Sequence, residues 1–319
     1  MAKARANAAV IEVGRLVFHV AWRSSGDVVH VTSALDQLRD RASRTPARAI
    51  PIVAVPFMGP AGAASCVDAG LAWLDLSGNA RILAPGIRVH VEGRPNRFKR
   101  AGRPSNLFAP KSARTARWLL IHAGEALTQR ELSRATGVDE GLTSRVVRRL
   151  EQEELVVRDD RGRVRVAKAD ALLDAFREAY DFEKHAILKG HVAARSGEEL
   201  LRRVTETFAH RDVGYAATGL AAAWLWSPFA DFRLVTIFLR APAAPALLEE
   251  TGFREETRGA NLWLVAPNDD GVFHGSSERN GIECAHPVQV YLDLRAQPER
   301  SAEAATQLRG ELLRWSTHA

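Results

Sequence analysis

The sequence predicts a multidomain α/β protein built from three modules. With 319 residues the chain is longer than one compact core usually accommodates. Residues 10–93 and the part beyond residue 170 alternate strand and helix patterns, whereas residues 112–168 have helical periodicity followed by a hairpin signal. We therefore expect a small α/β domain at 1–93, a basic linker at 94–111, a central module at 112–168, and a helical connector with a C-terminal α+β domain at 169–319.

The N-terminal region is predicted to be a small α/β domain. The segment GRLVFHVAW favours a strand, VTSALDQLRDRA has helical spacing, and PIVAVPFM is suited to a buried strand. PAGAASCVDAG predicts a second helix, which Gly70 closes in a left-handed conformation. Turn signals at Ser-Gly and Pro-Gly separate three further strands, expected near residues 71–74, 79–83 and 87–91.

The strongest local signal lies in the central module. Ser112 is expected to cap a first helix, and Thr128 with Glu131 forms a capping-box pattern before a second helix. Gly137 then supplies a left-handed turn, and Asp139 is expected to cap a third helix. LVVRDDRGRVRVA follows as two strand-like arms joined by a turn. This order of elements predicts a winged helix-turn-helix.

The third helix separates an apolar stripe from polar residues. Leu142, Val146 and Leu150 belong to the stripe, so the remaining side chains are expected to face outward, where such a helix contacts bases in the major groove of double-stranded DNA. The candidate base contacts are Thr143, Ser144, Arg145, Arg148 and Arg149. The candidate phosphate or minor-groove contacts on the hairpin are Arg158, Arg161, Arg163 and Arg165. A winged helix that contacts only protein, with solvated arginines, is the alternative.

The linker concentrates positive charge in a chain whose net charge is only +6. Two Gly-Arg-Pro tripeptides, at 93–95 and 102–104, resemble the core of AT-hook segments, which lie in a narrow minor groove. A solvated basic linker is the alternative, and either would add salt-sensitive affinity for DNA. The candidate DNA contacts here are Arg94, Arg97, Lys99, Arg100 and Arg103.

A second hypothesis concerns catalysis in the N-terminal domain. Asp75 followed by Glu92-Gly93-Arg94 resembles the Asp…Glu-x-Lys pattern of restriction-type nucleases, in which two carboxylates hold a divalent metal. Arg94 replaces the lysine and cannot give up a proton, and Asp75 precedes Ser-Gly-Asn, which favours a turn. The sequence therefore predicts a degenerate, inactive restriction-nuclease-like domain, with a metal-dependent DNA nuclease as the alternative.

The C-terminal region has no convincing catalytic set. We expect helix from residue 170 to residue 208, a helix at 215–226, and strands at FRLVTIFL and NLWLVAP. TGLAAAW lies where a nucleotidyltransferase carries its phosphate loop, but no Asp-x-Asp pair follows. His274, Glu283 and His286 lack the i, i+4 spacing typical of a zinc pair. We therefore predict a nucleotidyltransferase-like α+β domain with no metal and no cofactor.

The remaining features point to a cytoplasmic protein without a membrane segment. Cys66 and Cys284 are far apart in sequence and are expected to be buried thiols. The most apolar stretch, residues 214–230, is short for a bilayer span and contains Pro228. The N-terminus lacks the apolar core of a secretory signal.

Several segments resemble the AbiE-type antitoxins, the transcriptional regulators of type IV toxin–antitoxin systems. They are VPFMGPAGAASCVDAGLAWLDLSGNARI, TGLAAAWLWSPF and HPVQVYLDLRAQPERSAEAATQLRGELL. The resemblance implies binding to DNA repeats near the promoter of the protein's own gene and a nucleotidyltransferase-like domain without catalytic residues. We also expect the flanking domains to form a homodimer, and a cognate toxin or another protein to bind the C-terminal domain; whether a toxin is neutralised stays open. The central position of the winged helix, rather than an N-terminal one, is a departure from that pattern.

Overall fold

A computed structural model of the chain describes residues 8–14, 16–42, 49–98, 107–228 and 231–315. The chain divides into two compact units, Met1–Ser105 and Asn106–Ala319. The division falls inside the predicted basic linker. The second unit contains both the predicted winged helix and the predicted C-terminal domain, which are in contact with each other.

In the first unit, the described residues form a six-stranded sheet and two helices. The elements are β1 (Ala8–Val13), β2 (Leu16–Trp22), α1 (Val28–Ala42), β3 (Ala49–Val55), α2 (Pro60–Asp68), β4 (Ala72–Asp75), β5 (Ala80–Ala84) and β6 (Ile87–Val91). The strands lie in sequence order, with β2, β3 and β4 parallel and the outer pairs antiparallel. Both parallel connections run through a helix, as parallel pairing requires.

One face of this sheet carries the main core of the unit. Leu35 of α1, Cys66 of α2, and Val53 and Trp73 of the strands belong to a single buried cluster, so both helices lie on the same face. The strands and helices predicted for residues 16–91 are confirmed to within a few residues. The sequence analysis did not predict β1, whose large apolar side chains remain exposed.

The second unit joins a three-helix module with a hairpin to a larger mixed sheet. Its first elements are α3 (Pro110–Ile121), α4 (Gln129–Thr136), α5 (Glu140–Gln152), β7 (Val156–Arg158), β8 (Val164–Val166) and α6 (Ala169–Ala179). Then come β9 (Ala186–His191), α7 (Gly197–His210), β10 (Tyr215–Thr218), α8 (Gly219–Trp226), β11 (Val235–Leu239), α9 (Pro245–Thr251), β12 (Arg254–Glu255) and β13 (Leu262–Ala266). The last are β14 (Ser277–Arg279), β15 (Ile282–Cys284), α10 (Pro287–Asp293) and α11 (Ser301–Leu312).

The larger sheet has seven strands in the order β12-β9-β13-β11-β10-β15-β14. Two predictions were wrong here. Residues 186–191 form β9 inside the region predicted as helix, because they pair with β13. Residues 215–218 form β10 rather than the start of a helix, because they pair with β11. In both places tertiary pairing overrides local helix propensity.

The winged helix-turn-helix packs directly on the C-terminal region. Arg114 on α3 forms an ion pair with Asp269, with its Nε 2.8 Å from Oδ1. The ring of Phe108 stacks on Phe176 of α6, with 4.9 Å between the ring centroids. The first helix of the module is therefore fixed against the domain that follows it.

Both cysteines are buried free thiols, as predicted. Burial raises the pKa of Cys66 and of Cys284 to about 12, so both stay protonated at neutral pH. Within the described ranges, every helix is too short or too polar to cross a lipid bilayer.

Candidate nucleic-acid interface

Local hydrogen bonds set the ends of the helices in the helix-turn-helix. The Thr128 hydroxyl accepts a hydrogen bond from the Glu131 N–H, and the Glu131 carboxylate accepts one from the Thr128 N–H at 2.7 Å. Gly137 ends α4 with φ 65°, and the Asp139 carboxylate accepts from the Leu142 N–H at 2.8 Å. The predicted capping box, left-handed turn and N-cap are confirmed. These backbone donors hold the pKa values of Glu131 and Asp139 below their usual range.

The predicted cap of the first helix was wrong. α3 begins at Pro110 with Ala109 as its N-cap, so Ser112 lies within the first turn. Proline is favoured at the first helical position because its φ is already helical and its missing N–H is not needed there. The Ala109-Pro110 pair therefore starts the helix three residues earlier than a cap at Ser112 would.

The buried stripe of α5 includes Thr143. Thr143, Val146, Val147 and Leu150 are all buried, and they follow the i, i+3, i+4, i+7 spacing of one helix face. The Thr143 hydroxyl donates to the Val138 carbonyl at 3.4 Å. The prediction that Thr143 faces the groove was therefore wrong, because Thr143 is the first residue of the buried stripe.

The outward face of α5 carries two cations without a carboxylate partner. Arg145 and Arg148 are exposed, and neither forms an ion pair with another described residue. Ser144, beside them, is half-buried. Arg149 instead pairs with Glu153 one turn later, with 2.7 Å between Nε and Oε1. Of the five candidate base contacts, Arg145 and Arg148 thus present charge most openly to a polyanion.

The hairpin β7–β8 is the wing, and an isolated β-bridge from the segment before α4 supports it. Leu127 and Val164 exchange backbone hydrogen bonds of 2.9 and 2.7 Å. At the tip, the Asp159 carboxylate accepts hydrogen bonds from the N–H groups of Arg161 and Arg163 at 3.0 and 2.9 Å. The Arg163 backbone N–H contributes most to holding the pKa of Asp159 below its usual range. The turn is therefore closed by its own aspartate.

Two of the four wing arginines serve this internal geometry. Arg158 pairs with Glu151 of α5 at 2.7 Å and also donates to the Gly162 carbonyl at 3.1 Å. Arg163 pairs with Asp159 at 2.7 Å. Arg161 and Arg165 are exposed and form no ion pair with another described residue. The sequence analysis treated all four as equivalent, whereas nearby acids neutralise two of them.

The structure also exposes cations that the sequence analysis did not select. Arg130 and Arg134 lie on the polar face of α4, the helix that precedes α5, and both are exposed. In helix-turn-helix proteins this first helix crosses the DNA backbone. Both arginines could have been selected from the segment TQRELSRATG, because neither lies on the apolar face of the predicted helix.

The first part of the basic linker is held by the turn after β4. The Asn79 side chain accepts from the Arg94 N–H at 2.8 Å and donates to the Arg94 carbonyl at 3.1 Å. The Arg97 N–H donates to Ser77 at 3.3 Å. Both arginine side chains are exposed. Lys99, Arg100, Arg103 and the second Gly-Arg-Pro tripeptide lie outside the described residues.

Asp75 has the turn-forming role that the sequence left as an alternative. It is buried, and its carboxylate accepts from the Met58 N–H at 3.1 Å and from the N–H and side chain of Asn79 at 2.8 and 2.9 Å. Glu92 instead pairs with His90 at 2.9 Å. Across the described ranges, no three His, Cys, Asp or Glu side chains are grouped as metal ligands. These contacts therefore give no support to a nuclease centre at Asp75, Glu92 and Arg94.

The C-terminal residues considered for zinc also have structural partners. The His286 ring accepts from the Val288 N–H at 3.1 Å and so caps α10. The Glu283 carboxylate accepts from the Ser276 hydroxyl at 2.6 Å. His274 packs edge-on against Trp118, at 5.6 Å between ring centroids.

The sequence model of the MarR family matches residues 109–165 of this chain. The match spans α3 to β8 and supports a winged-helix, DNA-binding regulator. No curated protein and no solved structure gives a significant match. The matched range is well under half of the chain. The restriction-nuclease-like and nucleotidyltransferase-like assignments of the flanking regions, and the AbiE-type resemblance, therefore stay predictions.

Proposed function

We propose that the protein is a sequence-specific regulator of transcription that binds double-stranded DNA through α5 and the wing. Arg145 and Arg148 contact base edges in the major groove, and Arg161 and Arg165 contact phosphates or the minor groove. The observation that carries this proposal is the charge arrangement. These four arginines are exposed without ion pairs to described residues, while Arg149, Arg158 and Arg163 are neutralised.

A groove-reading role is favoured over a purely protein-binding winged helix. Arg145 and Arg148 lie three positions apart and are therefore neighbours on one helix surface. Each guanidinium can donate two hydrogen bonds to the O6 and N7 acceptors of one guanine, and each such bidentate contact contributes about 1–3 kcal/mol of base discrimination. The match to the MarR family over the same residues supports this preference.

The decisive experiment compares two arginines on α5. A binding site is first located by footprinting the upstream region of the protein's own gene, and affinities are then measured by mobility shift. We expect Arg148→Ala to weaken the specific duplex by roughly 5- to 150-fold, with a smaller loss on random DNA. Arg149→Ala is the matched control, because its guanidinium is already paired with Glu153, and its effect should be small.

Two outcomes would contradict the proposal at different levels. An equal loss on specific and random duplexes in Arg148→Ala would show that this arginine contacts phosphate only. If no duplex is retained at low salt, where electrostatic affinity is highest, the chain is not a DNA-binding regulator.

The proposal extends to an antitoxin-like regulator that forms a homodimer and does not catalyse a reaction. The sequence resemblance supports the antitoxin role and a toxin, or another protein, as partner of the C-terminal region. The turn-forming contacts of Asp75 support the absence of nuclease chemistry. We expect no nicking of supercoiled DNA with Mg²⁺ or Mn²⁺. Metal-dependent nicking that disappears in Asp75→Ala would establish the nuclease alternative.

A further inference from the structure

The strands of the first unit carry their ionisable side chains on one face of the sheet. Residues directly opposite each other in neighbouring strands lie on the same face. Asp75 is paired with Val55 and Arg81 with Trp73, and both partners belong to the core cluster that packs against α1 and α2. Pairing and alternation along the strands place the other ionisable strand residues on this side as well: Glu12, His19, Arg88 and His90.

The opposite face of the sheet consists of apolar side chains. Ile11 of β1 is paired with Phe18, Phe18 with Ile50, and Ile82 of β5 with Val89 of β6. Every described strand residue on this side is alanine, valine, leucine, isoleucine, phenylalanine or tryptophan. Its buried cluster and the partly buried residues packed against it belong to strands, and no described helix contributes to them. We call this side of the sheet the apolar face.

The composition of the apolar face is not that of a sheet surface in contact with water. A solvated sheet face normally carries the polar residues of an alternating pattern. Here Ile11, Val13 and Trp22 lie on the apolar face and are 47%, 59% and 37% exposed. Among the described residues of the second unit, two large apolar side chains are exposed to this degree, Val157 and Leu312. The apolar face therefore has the composition of a surface that a partner buries.

The size of the apolar face is sufficient for a protein–protein interface. With six strands about 4.8 Å apart and a mean length of roughly 19 Å, it covers about 500 Å² in projection. Two such faces in contact would bury roughly 1,000 Å² or more, which is the least that a specific interface usually requires. Because no charge lies on the face, it offers a charged partner no ion pair. A second copy of the same face matches it in composition and in twist.

We propose that the apolar face binds the same face of a second copy of this chain, so that two sheets pack face to face about 10 Å apart in a homodimer. The contact is isologous, with each residue of the face meeting its counterparts across a two-fold axis. The proposal rests on the homodimer included in the proposed function and assigns it a surface. It is tested without DNA, so its failure would leave the proposed DNA binding by α5 and the wing unaffected.

The test compares two neighbouring positions of β1 in the full chain. Sedimentation equilibrium should show a dimer for the unaltered protein. We expect Ile11→Lys to raise the dimer dissociation constant by roughly 30-fold or more, because two-fold symmetry buries the new ammonium group twice without a partner. Trp22→Lys, on the same face, should act in the same direction. Val10→Lys is the matched control, because Val10 is 55% exposed but points to the other side of β1, and its constant should change less than about twofold.

Cysteine labelling tests the same contact without placing a charge in it. The two native thiols, Cys66 and Cys284, are buried, so a thiol introduced at an exposed position reacts selectively. We expect Ile11→Cys to be protected from a maleimide at concentrations where the protein is dimeric and to become reactive on dilution. Val10→Cys should react at both concentrations.

Three results would overturn the proposal. A full chain that stays monomeric at high concentration, or protection of Ile11→Cys that persists after dilution, would show that the face is covered within one chain or not at all. A dimer that both lysine variants leave intact would place the dimer contact elsewhere. Equal weakening by Val10→Lys and Ile11→Lys would attribute the effect to disturbance of β1 rather than to the apolar face.

Discussion

Thr143 and Arg148 lie on the same helix, yet only Arg148 reaches the surface. A polar residue type alone does not determine which way a helical side chain faces. The face follows from the spacing of the large apolar residues, and Thr143 lies one turn before Val146 and Val147 on the face that they share with Leu150. At the scale of single residues, fewer side chains of α5 can therefore take part in the candidate interface than its polar composition indicates.

We expect Thr143→Val to leave DNA affinity within about twofold of the unaltered protein. Valine has nearly the same shape, and the hydroxyl it removes makes only a long hydrogen bond of 3.4 Å to Val138. The stability cost should stay below about 1 kcal/mol, because the Val138 carbonyl keeps the shorter hydrogen bond that it accepts from the Ser133 hydroxyl at 2.6 Å. Mobility shift and chemical denaturation measure the two quantities. A loss of specific binding above tenfold with unchanged stability would instead place this hydroxyl in the groove.

At the scale of elements, α3 is held by the short 3-10 turn at Asp270–Phe273 as well as by α6 and α10. Gly271 in that turn lies unusually close to α3. A Cβ placed there would come within 2.7 Å of Arg117 Nη1 and 2.8 Å of Arg114 Cγ. The absence of a side chain at this position therefore permits the close approach of the turn to the helix.

We expect Gly271→Ala to lower the free energy of unfolding of the second unit by about 1–3 kcal/mol, the usual cost of an added group in a tightly packed site. Gly124→Ala is the matched control, because nothing lies within 4 Å of a Cβ built at that glycine. Urea denaturation of the two variants gives the comparison. Equal free energies of unfolding in the two variants would show that α3 and the turn can move apart with little loss of stability.

Whether the sequence could predict an element depends on how many positions along the chain separate the residues that interact. The caps made by Thr128, Glu131 and Asp139 were predictable because each hydrogen bond spans three residues. β9 was not, because its partner β13 lies more than 70 residues further along the chain. The contact between Arg117 and Gln289 likewise has no local signal, since 172 positions separate the two residues. The outer face of α5 was therefore partly predictable, and the contact of Arg117 with Gln289 was not.

At the scale of the whole molecule, the structure groups the chain into two units where the sequence analysis expected three modules and a linker. The winged helix-turn-helix has a small hydrophobic core of its own, but α3 also contributes buried side chains to the junction with α6 and α10. Composition marks the basic linker at 94–111 clearly. The boundary predicted at 168–169 lies where the hairpin passes into α6, and the structure keeps both sides of it in one unit.

Buried titratable groups in the second unit predict loss of stability in acid. Burial lowers the pKa values of His185, His274 and His286 to about 4, from an ordinary value of 6.5. Between these values the unfolded chain binds protons that the native protein does not, so stability falls as pH falls. Asp293 acts in the opposite direction, because burial raises its pKa to about 7 and the native protein holds that proton. Three histidines against one aspartate leave a net uptake of about two protons on unfolding.

We therefore expect the free energy of unfolding to decrease steadily from pH 6.5 towards pH 4.5, with a slope that corresponds to about two protons. Denaturation at a series of pH values measures this slope. His274→Leu should reduce the slope by about one proton. A slope of zero in the unaltered protein would contradict the assignment of neutral, buried histidines.

The link from Arg158 to Glu151 and to the Gly162 carbonyl has a further consequence for recognition. It joins the hairpin to the C-terminal half of α5, so it restricts movement of the hairpin relative to this helix, and these are the two elements that we propose contact DNA. A protein preorganised in this way loses little conformational entropy on association. Its discrimination between operators should then depend on whether the duplex can deform to match a fixed protein template, with base steps that the protein never touches affecting affinity.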